Sequence, residues 1–228
     1  MKTTINPQLK KIMGIAIFAA FAYVMTFFHI PVMFLNFDAK DAVICIGAFL
    51  FGAPSGIIIA LLVAAIELVT ISTTMFWGFL MNFVSSAVFA FTASFIYSKW
   101  KTLNGAIAGI YSSVIATTAV MMLMNLLVTP IYMGVDRQVV IDMLPSVLLP
   151  FNLAKSLMNG AIALLIYKPL VVALRRARLL GFGSGSEEKG LISKDFAPDK
   201  FSNKTILTII LGALSIIASV IIFVFLNR

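Results

Sequence analysis

Seven apolar runs of roughly bilayer-crossing length dominate the chain, near 12–30, 41–53, 55–72, 78–98, 105–128, 148–174 and 204–226. A spanning helix needs roughly 20 mostly apolar residues, because each adds about 1.5 Å across a hydrocarbon core near 30 Å thick. The second and third runs are short and meet at Gly52-Ala53-Pro54-Ser55-Gly56, a tight-turn signature that makes them a hairpin of two spans. Only 11% of the 228 residues are charged, against about 25% in soluble domains. A water-soluble globule could not cover itself with so little polar surface. The fold class expected is an all-α integral membrane protein.

The formal charge of +8 acquires meaning from its positions. Lys2, Lys10, Lys11, Lys99, Lys101, Lys168, Arg175, Arg176 and Arg178 would lie on one side of the membrane, against only Lys40 and Arg137 on the other before the last span. Short cytoplasmic loops carry the excess of Lys and Arg, so the N-terminus is expected in the cytoplasm. Loops 31–40, 71–77 and 129–147 are then expected outside. No nucleic-acid partner is needed to explain the basicity. The run after Lys11 is too long for a signal h-region and has no small-residue cleavage site, so it is kept as a mature helix. Gly181 to Ser186, followed by Glu187, Glu188 and Lys189, reads as a flexible cytoplasmic linker. The expected organisation is a six-helix domain over 1–180, a linker over 181–203 and an extra transmembrane helix over 204–228.

Ionisable groups inside a membrane cost about 2.5–3.5 kcal/mol on insertion scales and call for a partner or a purpose. Glu67 would sit about 7 Å, and Lys155 about 10 Å, below the outer surface, at 1.5 Å per residue. These depths suit a pair, or two groups reaching one ligand. Asn152, Lys155 and Asn159 share one helix face, with Asn125 and Asn82 expected at a similar level on other helices. Four helices thus aim polar groups at the outer half of the bundle, which describes a blind pocket open to the outside. Intramembrane Asn also serves merely as an interhelical hydrogen bond, for about 1 kcal/mol or less. Asn82 fits that role equally, Lys155 has a stem long enough to snorkel, and Glu67 stands near Thr70 and Ser72 as a possible network cap. Above the pocket, Met33, Phe34, Leu35 and Phe37 give the outer loop the apolar surface of a lid over an aromatic ligand or of an interfacial anchor. Asp41 suits the positive end of the second helix better than a ligand role. Ala16 and Ala20, at i, i+4 in the first span, allow another helix to approach closely. Gly56, Ala60 and Ala64 repeat the pattern in the third.

No Gly-x-x-x-x-Gly-Lys-Ser/Thr loop is present, so the chain does not bind and split ATP in the P-loop manner. One Cys (Cys45) and one His (His29) leave no disulfide framework and no Cys/His metal site. No paired carboxylates or base-activated nucleophile point to catalysis. The expectation is a transporter subunit, not an enzyme, with no cofactor and no metal.

The strings Phe37-Asp-Ala-Lys-Asp41, Gly47-Ala-Phe-Leu-Phe-Gly52, Ile66-Glu67, Met81-Asn-Phe-Val-Ser-Ser86, Asn125-Leu-Leu-Val-Thr-Pro-Ile-Tyr-Met-Gly134 and Pro150-Phe-Asn-Leu-Ala-Lys155 resemble the riboflavin-binding S components of energy-coupling factor (ECF) transporters over about 10–178. The resemblance implies a six-helix bundle in the bacterial cell membrane that captures extracellular riboflavin. A coupling subunit and two cytoplasmic ATPases would supply the power, and the S component would topple to present its cargo inward. It further implies substrate contacts from Asn152, Lys155 and Asn125, and docking of the coupling subunit on Ala16 and Ala20. Less directly, Glu67 and Asn82 would meet ribityl hydroxyls, and Asn159 and Leu35 complete the candidate set. The seventh span departs from the family pattern. An S component for another vitamin or flavin such as FMN is one alternative. A stand-alone secondary transporter with Glu67 as proton carrier is another, although no internal repeat supports it. A membrane-assembly protein without a small ligand is the third.

Overall fold

The computed structural model describes residues 6–72, 74–176 and 203–226. The expected linker, up to residue 202, lies outside the described residues. Capping chemistry accounts for the helix starts. Helix α1 (Pro7–Thr26) opens on Asn6, whose side chain accepts from the Gln8 amide at 2.9 Å, and on Pro7, whose missing N–H is harmless at the first helical position. A short antiparallel hairpin follows, β1 (Ile30–Val32) and β2 (Leu35–Phe37), with Ile30 opposite Phe37. The sequence reading had a plain loop here.

Helix α2 (Lys40–Phe51) and helix α3 (Ala53–Thr70) meet at Gly52, where φ is +92°, a conformation that favours glycine, and Pro54 lies in the first turn of α3. The expected turn is present. The short second run expected over 41–53 is a helix of 12 residues, about 18 Å long. Every residue from Lys40 to Phe49 is buried, so α2 runs inside the bundle against α1, α3, α4 and α7. Burial in protein and burial in lipid select the same apolar side chains, which is why hydropathy alone could not separate them.

Helix α4 (Met75–Trp100) and helix α5 (Leu103–Met133) form the most extensive antiparallel pair. A Cβ on Gly109 would lie 2.4 Å from the Ala93 carbonyl oxygen, so the two backbones touch through a missing side chain. Helix α5 continues through Pro130 and ends at Gly134, φ +64°. Helix α6 (Arg137–Met143), a π turn (Leu144–Leu148) and helix α7 (Leu149–Arg176) follow. Pro145 and Pro150 lack the amide hydrogens of an ordinary ladder, which interrupts it where the π turn lies. The loop expected over 129–147 is therefore largely helical. Helix α8 (Asn203–Leu226) packs along α7.

Five helices, counted among the described residues, are long and apolar enough to cross a membrane by themselves. Ile17, Val69, Ile115 and Leu123 are 64–85% exposed on the outside of the bundle, where lipid would cover them. Within, Phe49, Phe89, Tyr97, Ile110 and Tyr167 form one core cluster, while Ala19, Ala22, Ile44, Ile59 and Val63 join α1, α2 and α3 in another. Gly109→Ala should lower stability by about 1–3 kcal/mol, because overpacking a backbone contact forces the helices apart. Thermal denaturation in detergent checks this, with no change expected for an alanine at exposed Ile115.

Candidate substrate-binding site

The foot of the hairpin carries alternating charges, Asp38, Lys40 and Asp41, all buried. Each finds its partner on a different helix. The Lys155 ammonium, on α7, donates to Asp38 Oδ2 at 2.9 Å and to the Asn36 carbonyl at 3.1 Å. The Lys40 ammonium donates to both oxygens of Glu67 on α3, at 2.6 and 2.9 Å. Asn82 Nδ2, on α4, donates to Glu67 Oε2 at 3.0 Å. Ser86, also on α4, donates to Asp41. Burial disfavours the Asp38 carboxylate, but Lys155 and then Lys40 outweigh it and hold its pKa below the ordinary 3.8. A carboxylate with a lowered native pKa stabilises the fold above its unfolded value and loses that contribution only as pH falls through the lowered one. The contribution of the Asp38 carboxylate is therefore present throughout the neutral range.

Glu67 and Lys155 thus bond to Lys40 and Asp38 and not to each other. Sequence reasoning assigned Lys40 to an exposed loop and Asp41 to capping. Here the first-turn amides of α2 are instead served by Asp38 Oδ1, 3.3 Å from the Lys40 amide, and by Asn159 Oδ1, 2.8 Å from the Ala42 amide. Asn159 Nδ2 also donates to the carbonyls of Asp38 and Lys155, at 2.8 and 3.0 Å. Fully buried and committed three ways, Asn159 stands behind the site as its scaffold. A usable signal did exist in the sequence: Asp-x-Lys-Asp immediately ahead of an apolar run is a costly place for three charges.

Two adjoining cavities lie beneath the hairpin. The larger, about 400 Å³, is lined by His29, Asn36, Asp38, Lys40, Glu67 and Asn82 among others. The smaller, about 130 Å³, is lined by Leu35, Asn82, Asn125, Tyr132, Asn152 and Lys155 among others. Phe34, Asn36, Thr74, Gly78 and Asn82 border both. Six of the seven candidate residues therefore border one or the other of these cavities; Asn159 borders neither. Asn125 is oriented from within α5, donating to the Met121 carbonyl at 2.7 Å and accepting from Thr129 at 2.9 Å. Asn152 donates to the Leu148 carbonyl of the π turn at 2.7 Å, which leaves an amide hydrogen and a carbonyl oxygen for a ligand. Tyr132 was missed by sequence reasoning, being indistinguishable there from an interfacial aromatic. Leu35 and Phe34 border the cleft from above, whereas Phe37 is buried against Phe151, at 6.0 Å between ring centroids.

Ala16 and Ala20 of α1 are exposed, while Ala19 and Ala22 are buried against α2 and α3. Gly56, Ala60 and Ala64 are buried and serve packing within the chain.

Removing one partner of a buried ion pair strands a charge and costs about 3–5 kcal/mol, more than removing both. Lys40→Met should therefore lower thermal stability severely, and Lys40→Met with Glu67→Leu should recover a large part of the loss. Calorimetry or scanning fluorimetry of the two variants and the parent checks this.

Three comparisons complete the picture. Residues 10–171 match the family model described as "ECF transporter, substrate-specific component". A relative from Staphylococcus aureus (strain TCH60), named riboflavin transporter RibU, is 28% identical over 180 residues, covering 74% of this chain and 94% of the relative. A solved structure of the S component of a bacterial ECF transporter is similar with a TM-score of 0.64 at 28% identity, covering 74% of this chain and 99% of that one. The family match spans α1 through most of α7 and every residue of the cleft, so this helical membrane protein belongs to the substrate-specific components of ECF transporters.

Proposed function

We propose that this protein captures riboflavin from outside the cell and delivers it inward in partnership with a coupling subunit and two ATPases on other chains. The observation that carries the reading is the convergence of Asn125, Asn152 and Lys155 on one narrow cleft that shares a wall with a wider polar chamber. The pyrimidine edge of isoalloxazine alternates carbonyl acceptors with an N–H donor. Asn amides match both, and the Lys155 ammonium has a third hydrogen to give a carbonyl. The flat ring suits the narrow cleft between Leu35, Tyr132 and the Asn side chains. The ribityl hydroxyls suit the chamber with Asn82, Glu67 and Lys40. The named relative supports riboflavin as the cargo.

Orientation rests on charge. Lys10, Lys11, Lys99 and Lys101 lie at the end of the bundle away from the hairpin, which supports a cytoplasmic N-terminus and an outward-facing cleft in the bacterial cell membrane. The exposed Ala16 and Ala20 support α1 as the face on which the coupling subunit docks.

Titration with riboflavin, read by flavin fluorescence quenching, tests the reading: saturable binding at micromolar or lower concentration is expected, and its absence would overturn it. Asn152→Ala and Lys155→Ala should each weaken binding at least about tenfold, or about 1.4 kcal/mol. FMN should bind more weakly than riboflavin, since Lys40 and Lys155 are already bonded to carboxylates and a phosphate would have to displace them. Ala16→Leu or Ala20→Leu should leave binding unchanged and reduce uptake in liposomes that hold the complete transporter. Uptake without the coupling subunit and ATPases would point instead to a secondary transporter.

A further inference from the structure

Helix α8 lies beyond the family match, which ends at residue 171, and about a quarter of this chain has no counterpart in the solved S component, 99% of which is already accounted for. A helix added to a membrane protein has no hydrophobic reason to pack against it, because lipid tails are as apolar as its own side chains. Yet α8 has one distinct packing face. Thr208, Ser215 and Ser219 are buried, and a Cβ on Gly212 would come within 3.0 Å of Leu165 on α7. Leu214, Ile217, Ile221 and Phe225 on the other side are more than half exposed. Hydrogen bonds tie the small-residue face down. Ser215 Oγ is 2.8 Å from the Tyr111 hydroxyl of α5, and Ser219 Oγ donates to the Ala154 carbonyl of α7 at 2.9 Å.

The far end of α8 reaches the site. Ile222 packs on the cluster of Val32, Phe37, Phe151 and Ala154. Val32 and Phe37 are the inward-facing residues of the two hairpin strands. Phe37 precedes Asp38, and Ala154 precedes Lys155, so α8 holds the neighbours of both partners in the Asp38–Lys155 clasp. We propose that α8 is a built-in latch: by seating Ile222 under the hairpin and fixing the α7 turn through Ser219, it keeps the cover of the cleft closed and slows escape of the bound molecule. Ile222 and Ser219 are positioning residues; neither borders the cavities. The identity of that molecule rests on the riboflavin reading, whereas the latch itself does not.

The test uses the full chain carrying Ile222→Ala, which empties the contact under the hairpin, or Ser219→Leu, which wedges α8 from α7. Ile217→Ala, on the lipid-facing side, is the control. Hydrogen exchange of the amides over 30–37 is measured without ligand, and riboflavin dissociation is followed by recovery of flavin fluorescence. Exchange of the hairpin should quicken about tenfold in both variants, and dissociation about fivefold, with the control like the parent. Unchanged hairpin exchange in both variants would overturn the latch whatever the ligand. Faster exchange with unchanged dissociation would overturn its control of escape. Failure of the parent chain to bind riboflavin would instead fall on the proposed cargo, with the exchange arm still deciding the latch.

Discussion

The buried charges at the foot of the hairpin hold the rest of the binding site in place. Asp38, Lys40, Glu67 and Lys155 form two bonded pairs, with the first three buried and Lys155 half-buried. Such pairs are stable only when every charge is matched and the remaining hydrogen-bonding capacity is filled. Asn82, the Asn36 carbonyl and the Lys40 amide do that filling. Because one pair reaches α3 and the other α7, the hairpin is clasped from two sides. The cleft beneath it inherits its shape from those two bonds.

The lining of the candidate site and the bonds that hold the hairpin therefore share residues. Lys155 both straps the hairpin and borders the narrower cavity, and Glu67 both neutralises Lys40 and borders the wider one. A molecule entering the cleft competes with, or completes, an existing network and does not meet isolated polar groups. The proposed latch acts on the same neighbourhood, through apolar contacts of α8 on the residues next to the clasp.

Much of the site was legible beforehand because intramembrane polar groups are rare enough to be conspicuous. Glu67 borders the larger cavity, Asn125, Asn152, Lys155 and Leu35 the smaller and Asn82 both, which brings together groups that depth, helical spacing and the apolar outer loop had singled out. Asn159 shares their helix face yet faces the α2 amides, a difference of contact that spacing alone does not encode. Read from the sequence, Lys40 falls in an outer loop and Asp38 beside the start of the second helix, which leaves their burial and their pairing with Glu67 and Lys155 unanticipated. Only the folding of the outer loop into a hairpin over the bundle puts them inside.

By itself, the sequence determined that the chain lives in a membrane, where most of its helices run, and which of its few polar residues need an explanation. Those properties follow from composition along a line: apolar length against bilayer thickness, and the cost of each charge within it. Tertiary structure decided which charge pairs with which, that α2 is enclosed by other helices of the chain, and that α8 rests on α5 and α7 with its end under the hairpin. Pairing partners here are 27 and 117 residues apart in the chain. Their choice depends on how whole helices approach one another, and close approach at positions such as Gly109 against Ala93 is a property of two surfaces together.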